Sequence, residues 1–258
     1  MAALRELIYG LHAVAAALQR DPARVLEIQA AEGLRAQPRL TQIFNEARAA
    51  GIPLRYVPRD TLDQLVTEGA HQGIVAWQKP ARAFNEDDLE ALLASLTVPP
   101  LLLILDGVQD PHNLGACLRT ADGAGVHAVI APRDRAVGLT PAVRKVASGA
   151  AETIPFVQVT NLARTLRELK DKGIWLVGAD GAAEMDIYAA DLRGPLALVM
   201  GAEGQGRRRV NREHCDFLVR IPMAGTVESL NVSVAAGVCL FEAVRQRSAP
   251  SVPFPSER

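Results

Sequence analysis

The chain has 258 residues, 49% of them hydrophobic and 22% charged, which is the balance of a soluble globular protein with room for one large or two modest domains. Its formal net charge of -1 does not by itself indicate a nucleic-acid partner, although a local basic patch can bind phosphates on a nearly neutral protein. No apolar run approaches the ~20 residues that cross a bilayer, and the N-terminus lacks the features of a secretory signal. No membrane partner is therefore expected.

The cysteines give a prediction about compartment and metal binding. Cys117, Cys215 and Cys239 are odd in number, far apart in sequence and without a C-x-x-C pair. This pattern argues against a disulfide framework and against a structural zinc site. We expect a protein of the reducing cytoplasm that binds no metal.

Residues 1–78 alternate between helix and strand patterns and predict a small α/β domain. Helices are predicted around Leu11–Leu18 and Leu40–Ala47 and after a cap at Asp60 or Thr61, and strands at Val25–Ile28, Leu54–Val57 and residues 71–76. His71 opens the last of these strands, where both a structural role and an RNA contact stay open.

Two segments interrupt these patterns. Residues 79–98 combine proline, an acidic cluster and a short amphipathic piece, which predicts a linker with one or two helical turns. Residues 248–258 carry three prolines and little apolar content, which predicts a disordered tail.

Residues 99–247 predict a second domain, a mostly parallel sheet with helices on both faces. Its strands are predicted at Leu101–Leu105, His127–Ala131, Pro155–Val159, Ile174–Val177, Leu196–Met200 and Phe217–Ile221. Its helices are predicted at Leu114–Ala124, Pro141–Ser148 with Thr140 as cap, Leu162–Lys172 with Thr160 as cap, and Leu230–Arg247. Ligands of such sheets bind at the carboxyl ends of the strands.

Three polar clusters follow apolar strands of this second domain. The first reads D-G-V-Q-D-P-H-N-L-G-A-C-L-R from Asp106, the second G-A-E-G-Q-G from Gly201, and the third I-P-M-A-G-T-V-E-S-L-N-V-S from Ile221. Glycines let backbone groups approach a nucleotide-like ligand closely. The spacing G-x-x-G-x-G is neither the dinucleotide fingerprint nor a phosphate-binding loop, which disfavours a nucleotide-dependent oxidoreductase.

Together the three clusters resemble the SpoU branch of the SPOUT RNA methyltransferases, whose motifs run N-x-x-G or N-x-G with a following arginine, then G-x-E-G-x-G, then I-P-M with S-L-N-V-S. These motifs and their sheet cover residues 101–247, and residues 8–78 resemble the ribosomal-protein-like RNA-binding domain of the members that act on rRNA. The resemblance implies an α/β fold with a trefoil knot, and 2′-O-methylation of a ribose with S-adenosylmethionine as cofactor.

The resemblance also implies a target and an assembly. The expected target is a guanosine of 23S rRNA, and the alternative targets are a tRNA or another rRNA nucleotide. The alternative function is that of a non-catalytic RNA-binding assembly factor. Family members are homodimers in which the Arg119 region of one subunit completes the cofactor site of the other. The last predicted helix fits this expectation, because it is apolar nearly all round at Val232, Val234, Ala235, Val238, Leu240, Phe241 and Val244.

The cofactor site follows from the same motifs. Main-chain contacts to S-adenosylmethionine are expected at Gly201, Ile221 and Leu230, and apolar walls at these positions suit an adenosine pocket. Met200, Glu203 and Asn231 complete the predicted cofactor set.

Arg119 matches the catalytic arginine of the family. A guanidinium is essentially never deprotonated in proteins, so we expect it to stabilise the developing alkoxide and hold a phosphate rather than act as a base. Glu203 would accept the proton or orient Arg119. Asn113, Ser229 and Asn231 would position substrate, cofactor or loops, with a helix cap as the alternative for Asn113.

Several basic residues are expected to contact rRNA phosphates, which would make binding salt-dependent. The predicted contacts are Arg207, Arg208, Arg144 and Lys145.

Overall fold

The computed structural model describes residues 5–34, 37–66, 70–79, 84–134, 136–201 and 213–248. Its first sheet has four strands in the order β1-β4-β2-β3, in which β4 is antiparallel to both β1 and β2, and β2 is parallel to β3. These strands are β1 (Glu6–Tyr9), β2 (Val25–Ala31), β3 (Leu54–Val57) and β4 (Ile74–Gln78). The strand β1 was not predicted, because its four residues are too few to show a pattern.

Three helices accompany this sheet: α1 (Leu11–Arg20), α2 (Pro38–Ala49) and α3 (Arg59–Leu65). One apolar core contains Val14, Ile28 and Ile43, and a second contains Leu62 and Val75. Adjacent strand residues such as Ile74 and Val75 enter different cores, as the alternation of a strand requires. The expected caps at Asp60 and Thr61 are wrong, because α3 begins at Arg59 after Pro58.

The second sheet has seven strands in the order β7-β6-β5-β10-β8-β11-β9. They are β5 (Leu101–Asp106), β6 (Ala128–Pro132), β7 (Phe156–Val159), β8 (Trp175–Ala179), β9 (Met185–Asp186), β10 (Leu196–Gly201) and β11 (Phe217–Arg220). All five pairings described between neighbouring strands are parallel: β6 with β5, β5 with β10, β10 with β8, β8 with β11, and β11 with β9. Every residue of the apolar runs 101–105 and 196–200 is buried, as expected of strands covered on both faces. The predicted α/β class with a mostly parallel sheet is confirmed, and the knot stays a prediction.

Six further helices are described: α4 (Glu86–Ser95), α5 (Pro111–Gly123), α6 (Pro141–Ala147), α7 (Ala150–Thr153), α8 (Leu162–Asp171) and α9 (Val232–Ser248). Helix α4 lies in the expected linker and is longer than predicted, because Asn85 and Asp88 form a capping box at its start. Thr140 caps α6 as predicted. Thr160 does not cap α8; the side chain of Asn161 accepts the hydrogen bond from Arg164 N at 3.0 Å instead.

The chain divides into two compact units that interleave along the sequence. The first comprises Met1–Phe84, Gln109–Asp122 and Val137–Phe156, and the second comprises the remaining segments. The first unit therefore combines the N-terminal segment with α6, α7 and nearly all of α5, and within it α1 packs against α7 and α6 against β1. In the described ranges, no helix has the length and apolar character required to cross a membrane.

A buried ion cluster lies inside the first unit. Arg144 is only 4% exposed and Glu152 only 3%, and the two side chains form an ion pair. The Nε of Arg144 also donates to Glu6 Oε1 at 2.9 Å, and Gln78 Nε2 donates to Glu6 Oε2 at 3.1 Å. Arg20 adds a hydrogen bond to the Glu152 carbonyl. The cluster therefore connects α6 and α7 to β1, β4 and α1.

Replacing Arg144 with alanine tests the importance of this cluster. Arg144→Ala leaves the buried carboxylate of Glu152 and the partly buried one of Glu6 without their cation, and we expect it to lower the free energy of unfolding by about 3–5 kcal/mol. Urea unfolding followed by circular dichroism measures the change. The control is Arg164→Ala, which removes an exposed arginine paired with Glu86 and Glu168 and should cost less than about 1 kcal/mol. Equal effects of the two substitutions would contradict the assignment.

Candidate active site

The ends of β5 and β10 form the centre of the predicted ligand edge. The two strands are parallel neighbours, and their register pairs Met200 with Leu105 and Gly201 with Asp106. Met200 is buried and Gly201 is half-buried at the last position of β10. Backbone groups of this edge are thus available at the point where a ligand of a parallel sheet binds.

The third polar cluster leaves the same edge from β11. Ile221 directly follows β11, and both Ile221 and Leu230 are half-buried, so each presents part of its apolar side chain to the surface. Ser229 is exposed. Half-buried apolar side chains beside backbone groups suit the adenosine part of a ligand, and these residues could hold one.

Asn231 has a structural role at the start of α9. Its Oδ1 accepts hydrogen bonds from Ser233 N at 2.9 Å and from Ser233 Oγ at 2.7 Å, and its carbonyl accepts one from Ala235 N. These bonds satisfy donors at the start of α9, as a helix N-cap does. Asn231 therefore fixes the connection between the strand-end loop and the last helix, and its predicted contact with a cofactor stays a prediction.

Helix α5 carries Asn113 and Arg119. Its cap is Asp110, whose carboxylate accepts hydrogen bonds from His112 N at 3.1 Å and Asn113 N at 3.3 Å. The alternative that Asn113 is the cap is thus wrong. Asn113 lies half-buried in the first turn and Arg119 is exposed further along the helix, where its side chain can reach a ligand.

Close packing against α6 explains why α5 has a glycine at position 115. A Cβ atom on Gly115 would lie 2.6 Å from Val146 Cβ and 2.8 Å from the carbonyl oxygen of Val143. Helix α5 therefore packs against α6 at a distance that only glycine permits. This contact fixes the helix that carries Arg119.

His12 belongs to the first unit together with Arg119 and interacts electrostatically with it, and sequence reasoning missed His12. His12 is an exposed residue of α1. Partial burial lowers its pKa, and the positive charges of Arg39, Arg119 and Lys145 lower that pKa further. Three cations from three separate helices, Arg39, Arg119 and Lys145, thus form a positively charged surface around His12, for which no local sequence pattern exists.

The two basic residues predicted on α6 differ in position. Arg144 belongs to the buried cluster, where desolvation lowers its pKa. The prediction that it contacts RNA phosphates is wrong, because a buried guanidinium paired with two carboxylates cannot reach a phosphate at the surface. Lys145 is partly exposed, donates to the Ala70 carbonyl and lies 5.3 Å from the centre of the Tyr9 ring. It remains a candidate for a phosphate contact.

His71 has a structural role. It is 3% exposed, its Nδ1 accepts a hydrogen bond from Gly73 N at 2.9 Å, and its Nε2 lies 2.8 Å from Asp63 Oδ1. These contacts fix the turn before β4. Of the remaining predicted site residues, Glu203, Arg207 and Arg208 lie outside the described residues. Gly204 and Gly206 of the G-A-E-G-Q-G cluster also lie outside them.

The described part of the chain contains neither a reactive thiol nor a cluster of side chains that could bind a metal ion. Cys117, Cys215 and Cys239 are free, and desolvation by burial raises the pKa of each thiol to about 12. Such thiols stay protonated and unreactive at neutral pH. The described residues contain no group of three or more histidine, cysteine or acidic side chains arranged to hold a metal ion.

Comparison with known proteins matches both segments of the chain. Residues 100–241 match the model of the SpoU rRNA methylase family, and residues 7–83 match the model described as RNA 2′-O ribose methyltransferase substrate binding. The chain is 59% identical over 244 residues to the 23S rRNA (guanosine-2′-O-)-methyltransferase RlmB of Pectobacterium atrosepticum, covering 95% of this chain and 99% of the relative. The enzyme of the same name from Pseudomonas putida is 59% identical over 242 residues, covering 94% and 97%.

Solved structures resemble the chain over the same length. A crystal structure of an RNA 2′-O ribose methyltransferase has a TM-score of 0.78 at 31% identity and covers 95% of this chain and 90% of that chain. The SpoU methyltransferase AviRb from Streptomyces viridochromogenes, in complex with the cofactor AdoMet, has a TM-score of 0.76 at 25% identity and covers 94% and 90%. The similarity thus extends over both segments.

Adding a methyl group at Gly115 tests the packing of α5. Gly115→Ala forces α5 and α6 apart, and we expect it to lower the free energy of unfolding by about 1–3 kcal/mol. Thermal unfolding measures the change. Gly123→Ala is the matched control on the same helix, because the nearest atom to its new Cβ is 4.0 Å away; it should leave stability unchanged or raise it by up to about 1 kcal/mol. If both variants unfold at the same temperature as the unaltered protein, the stability of the fold does not depend on this close contact between α5 and α6.

Proposed function

Because this chain belongs to the SpoU rRNA methylase family, we propose that it transfers the methyl group of S-adenosylmethionine to the ribose 2′-hydroxyl of a guanosine in 23S rRNA. The observation that carries this conclusion is the 59% identity to RlmB enzymes over nearly the full length of both chains. The identity includes the N-terminal segment. We therefore assign residues 1–78 to binding of the RNA substrate and residues 99–247 to methyl transfer.

The methyl donor is S-adenosylmethionine. Its binding residues are part of the proposal: the backbone at Gly201, Ile221 and Leu230, with Met200 and Asn231 beside them. In support, Gly201 ends a strand at the carboxyl edge of the parallel sheet, and Ile221 and Leu230 are half-buried apolar residues. An adenosine pocket combines apolar walls with backbone groups in this way.

The chain's own residues must orient the hydroxyl and manage its proton. When bound, the cofactor would supply an electrophilic methyl group for the 2′-oxygen, and the hydroxyl proton would pass to a base of this chain. We assign to Arg119 the stabilisation of the negative charge that develops on the 2′-oxygen, because an exposed guanidinium stays cationic. Glu203 is the proposed acceptor of the proton or partner of Arg119, and Asn113 and Ser229 are proposed to position the substrate.

A homodimer is also part of the proposal. Val234 and Phe241 lie seven residues apart on one face of α9, and each is 51% exposed. Half-buried Val238 lies between them. An exposed apolar stripe on the last helix suits the interface of two identical subunits.

A cytoplasmic location completes the proposal. Three free thiols suit a reducing compartment, and the proposed substrate is ribosomal RNA.

Substitution of Arg119 separates catalysis from cofactor binding. Arg119→Ala should lower the single-turnover rate of 23S rRNA methylation by about 100-fold to 1,000-fold, the usual effect of removing a preorganised electrostatic contact. Arg119→Lys should fail almost as badly, because lysine lacks the planar fork that can hold a phosphate oxygen and the 2′-hydroxyl together. Calorimetry should show S-adenosylmethionine affinity within a few fold of the unaltered protein for both.

The control for this experiment is Arg193→Ala, which removes an exposed arginine paired with Asp191. It should retain the full rate. Retention of most of the rate by Arg119→Lys would mean that Arg119 serves only as a generic cation. No methyl transfer to 23S rRNA by the unaltered protein would refute the proposed function itself.

Phe241→Asp tests the dimer. A charge in place of the exposed aromatic ring at one end of the apolar stripe should convert the dimer to a monomer at micromolar concentration, while the exposed position spares the fold. Light scattering measures the mass and circular dichroism the fold. Val98→Asp is the matched control, because Val98 is an apolar loop residue that is also exposed. A stable, active monomer of the unaltered protein would exclude this assembly.

A further inference from the structure

A cleft lies at one end of the four-stranded sheet, where β1 and β2 end and β4 begins. Its volume is about 440 Å³, within the range of small-molecule pockets. Apolar, amide and charged side chains share its lining, which includes Leu11, Glu32, Leu34, Gln37, Arg59 and Gln72. The cleft belongs to the N-terminal segment and is distinct from the residues assigned above to methyl transfer.

The walls of the cleft are built by specific contacts. Gln72 adopts a left-handed conformation with φ of 54°, which is uncommon for a residue with a side chain. Its Oε1 accepts a hydrogen bond from Leu11 N at 3.1 Å. Leu34 packs so closely over Gly73 that a Cβ there would lie 2.5 Å from Leu34 Cδ1. The shape of the cleft is therefore set by the fold of this segment.

The positively charged surface around His12 lies near the cleft. His12 directly follows Leu11 of the cleft wall, and Arg39 lies two residues after Gln37 of the lining; burial, and then the charges of Arg39, Arg119 and Lys145, lower the pKa of His12. Lys145 does not line the cleft but lies close to it, because a Cβ on Gly10, the residue before Leu11, would be 3.4 Å from Lys145 Nζ and 3.3 Å from Gln72 Oε1. Arg39, Lys145, Arg119 and the cleft thus belong to one compact unit.

We propose that the cleft binds an unpaired nucleobase of the rRNA substrate, and that His12, Arg39 and Lys145 contact the phosphates between this base and the ribose that Arg119 engages. This inference rests on the proposed function, because it identifies how the same substrate is held. It adds a base-binding site and a defined path for the RNA backbone.

The chemistry of the lining matches a nucleobase. Proteins recognise single-stranded RNA by stacking a base on an aromatic ring or on the plane of an arginine, and by hydrogen bonds to the edge of the base. Arg59 offers such a plane, Leu11 and Leu34 offer apolar contact, and Glu32 with Gln37 offers polar groups for the edge of the base. The positive charges of Arg39 and Lys145 near the cleft suit the phosphates on either side of the base, and His12 adds a ring N–H donor.

Two substitutions test the two parts of the proposal in the full-length protein, with an unmodified 23S rRNA transcript as the probe. Arg59→Ala should weaken binding about 5-fold to 150-fold at every salt concentration, because stacking of one base is worth about 1–3 kcal/mol. Arg39→Gln should instead reduce the slope of log affinity against log salt by about 0.7, the effect of one lost contact to a single-stranded phosphate. Affinity for S-adenosylmethionine should not change in either variant.

Each substitution has a matched control. Arg55→Ala removes an exposed arginine of β3 that does not line the cleft, and Arg48→Gln removes one from the other end of α2. If Arg59→Ala binds the transcript like Arg55→Ala, the cleft holds no base and the inference is overturned. An unchanged salt slope for Arg39→Gln would overturn the phosphate path. Neither result affects the proposed function, which fails only if the unaltered protein does not methylate the transcript.

Discussion

The first compact unit depends on the burial of one guanidinium between two carboxylates. Arg144 of α6 is enclosed with Glu152 of α7 and Glu6 of β1, and the partners Arg144 and Glu6 are 138 residues apart in sequence. A buried charge without its partner costs several kcal/mol, so these segments must stay together for the unit to be stable. Deleting residues 1–98 would remove Glu6 and leave Arg144 and Glu152 without it. The substrate-binding segment is therefore also a structural partner of the helices that follow it.

The residues of one motif both position helix α5 and supply its proposed catalytic side chain. Asp110 begins the helix, Gly115 lets it approach α6, and Arg119 presents the charge proposed for catalysis. Because α5 groups with the N-terminal segment, the arginine and the proposed base-binding cleft belong to the same compact unit. A substrate held in the cleft would thus be positioned relative to Arg119 by a single folded body. This arrangement supplies the orientation that transfer to one particular ribose needs.

Sequence patterns predicted the second sheet well, because uninterrupted apolar runs such as Leu101–Leu105 are diagnostic of strands buried on both faces. They failed where the outcome depends on distant residues. Arg144 was expected at the surface because it forms a basic pair with Lys145, and basic runs usually lie in solvent, whereas its burial depends on Glu6 and Glu152. Asn161 rather than Thr160 caps α8, a shift of one position that local propensity cannot resolve. The motifs identified the candidate site, but His12 was missed because its proximity to Arg119 arises only from the fold.

The most direct measurement is a map of ribose methylation in 23S rRNA from cells that lack this gene, compared with cells that carry it. Mass spectrometry of nuclease fragments distinguishes a methyl group on the ribose from one on the base. The account predicts that a single 2′-O-methylguanosine disappears from 23S rRNA in the deletion strain and returns when the gene is restored. Unchanged ribose methylation of 23S rRNA, or the loss of a methyl group from a base or from a tRNA instead, would contradict it.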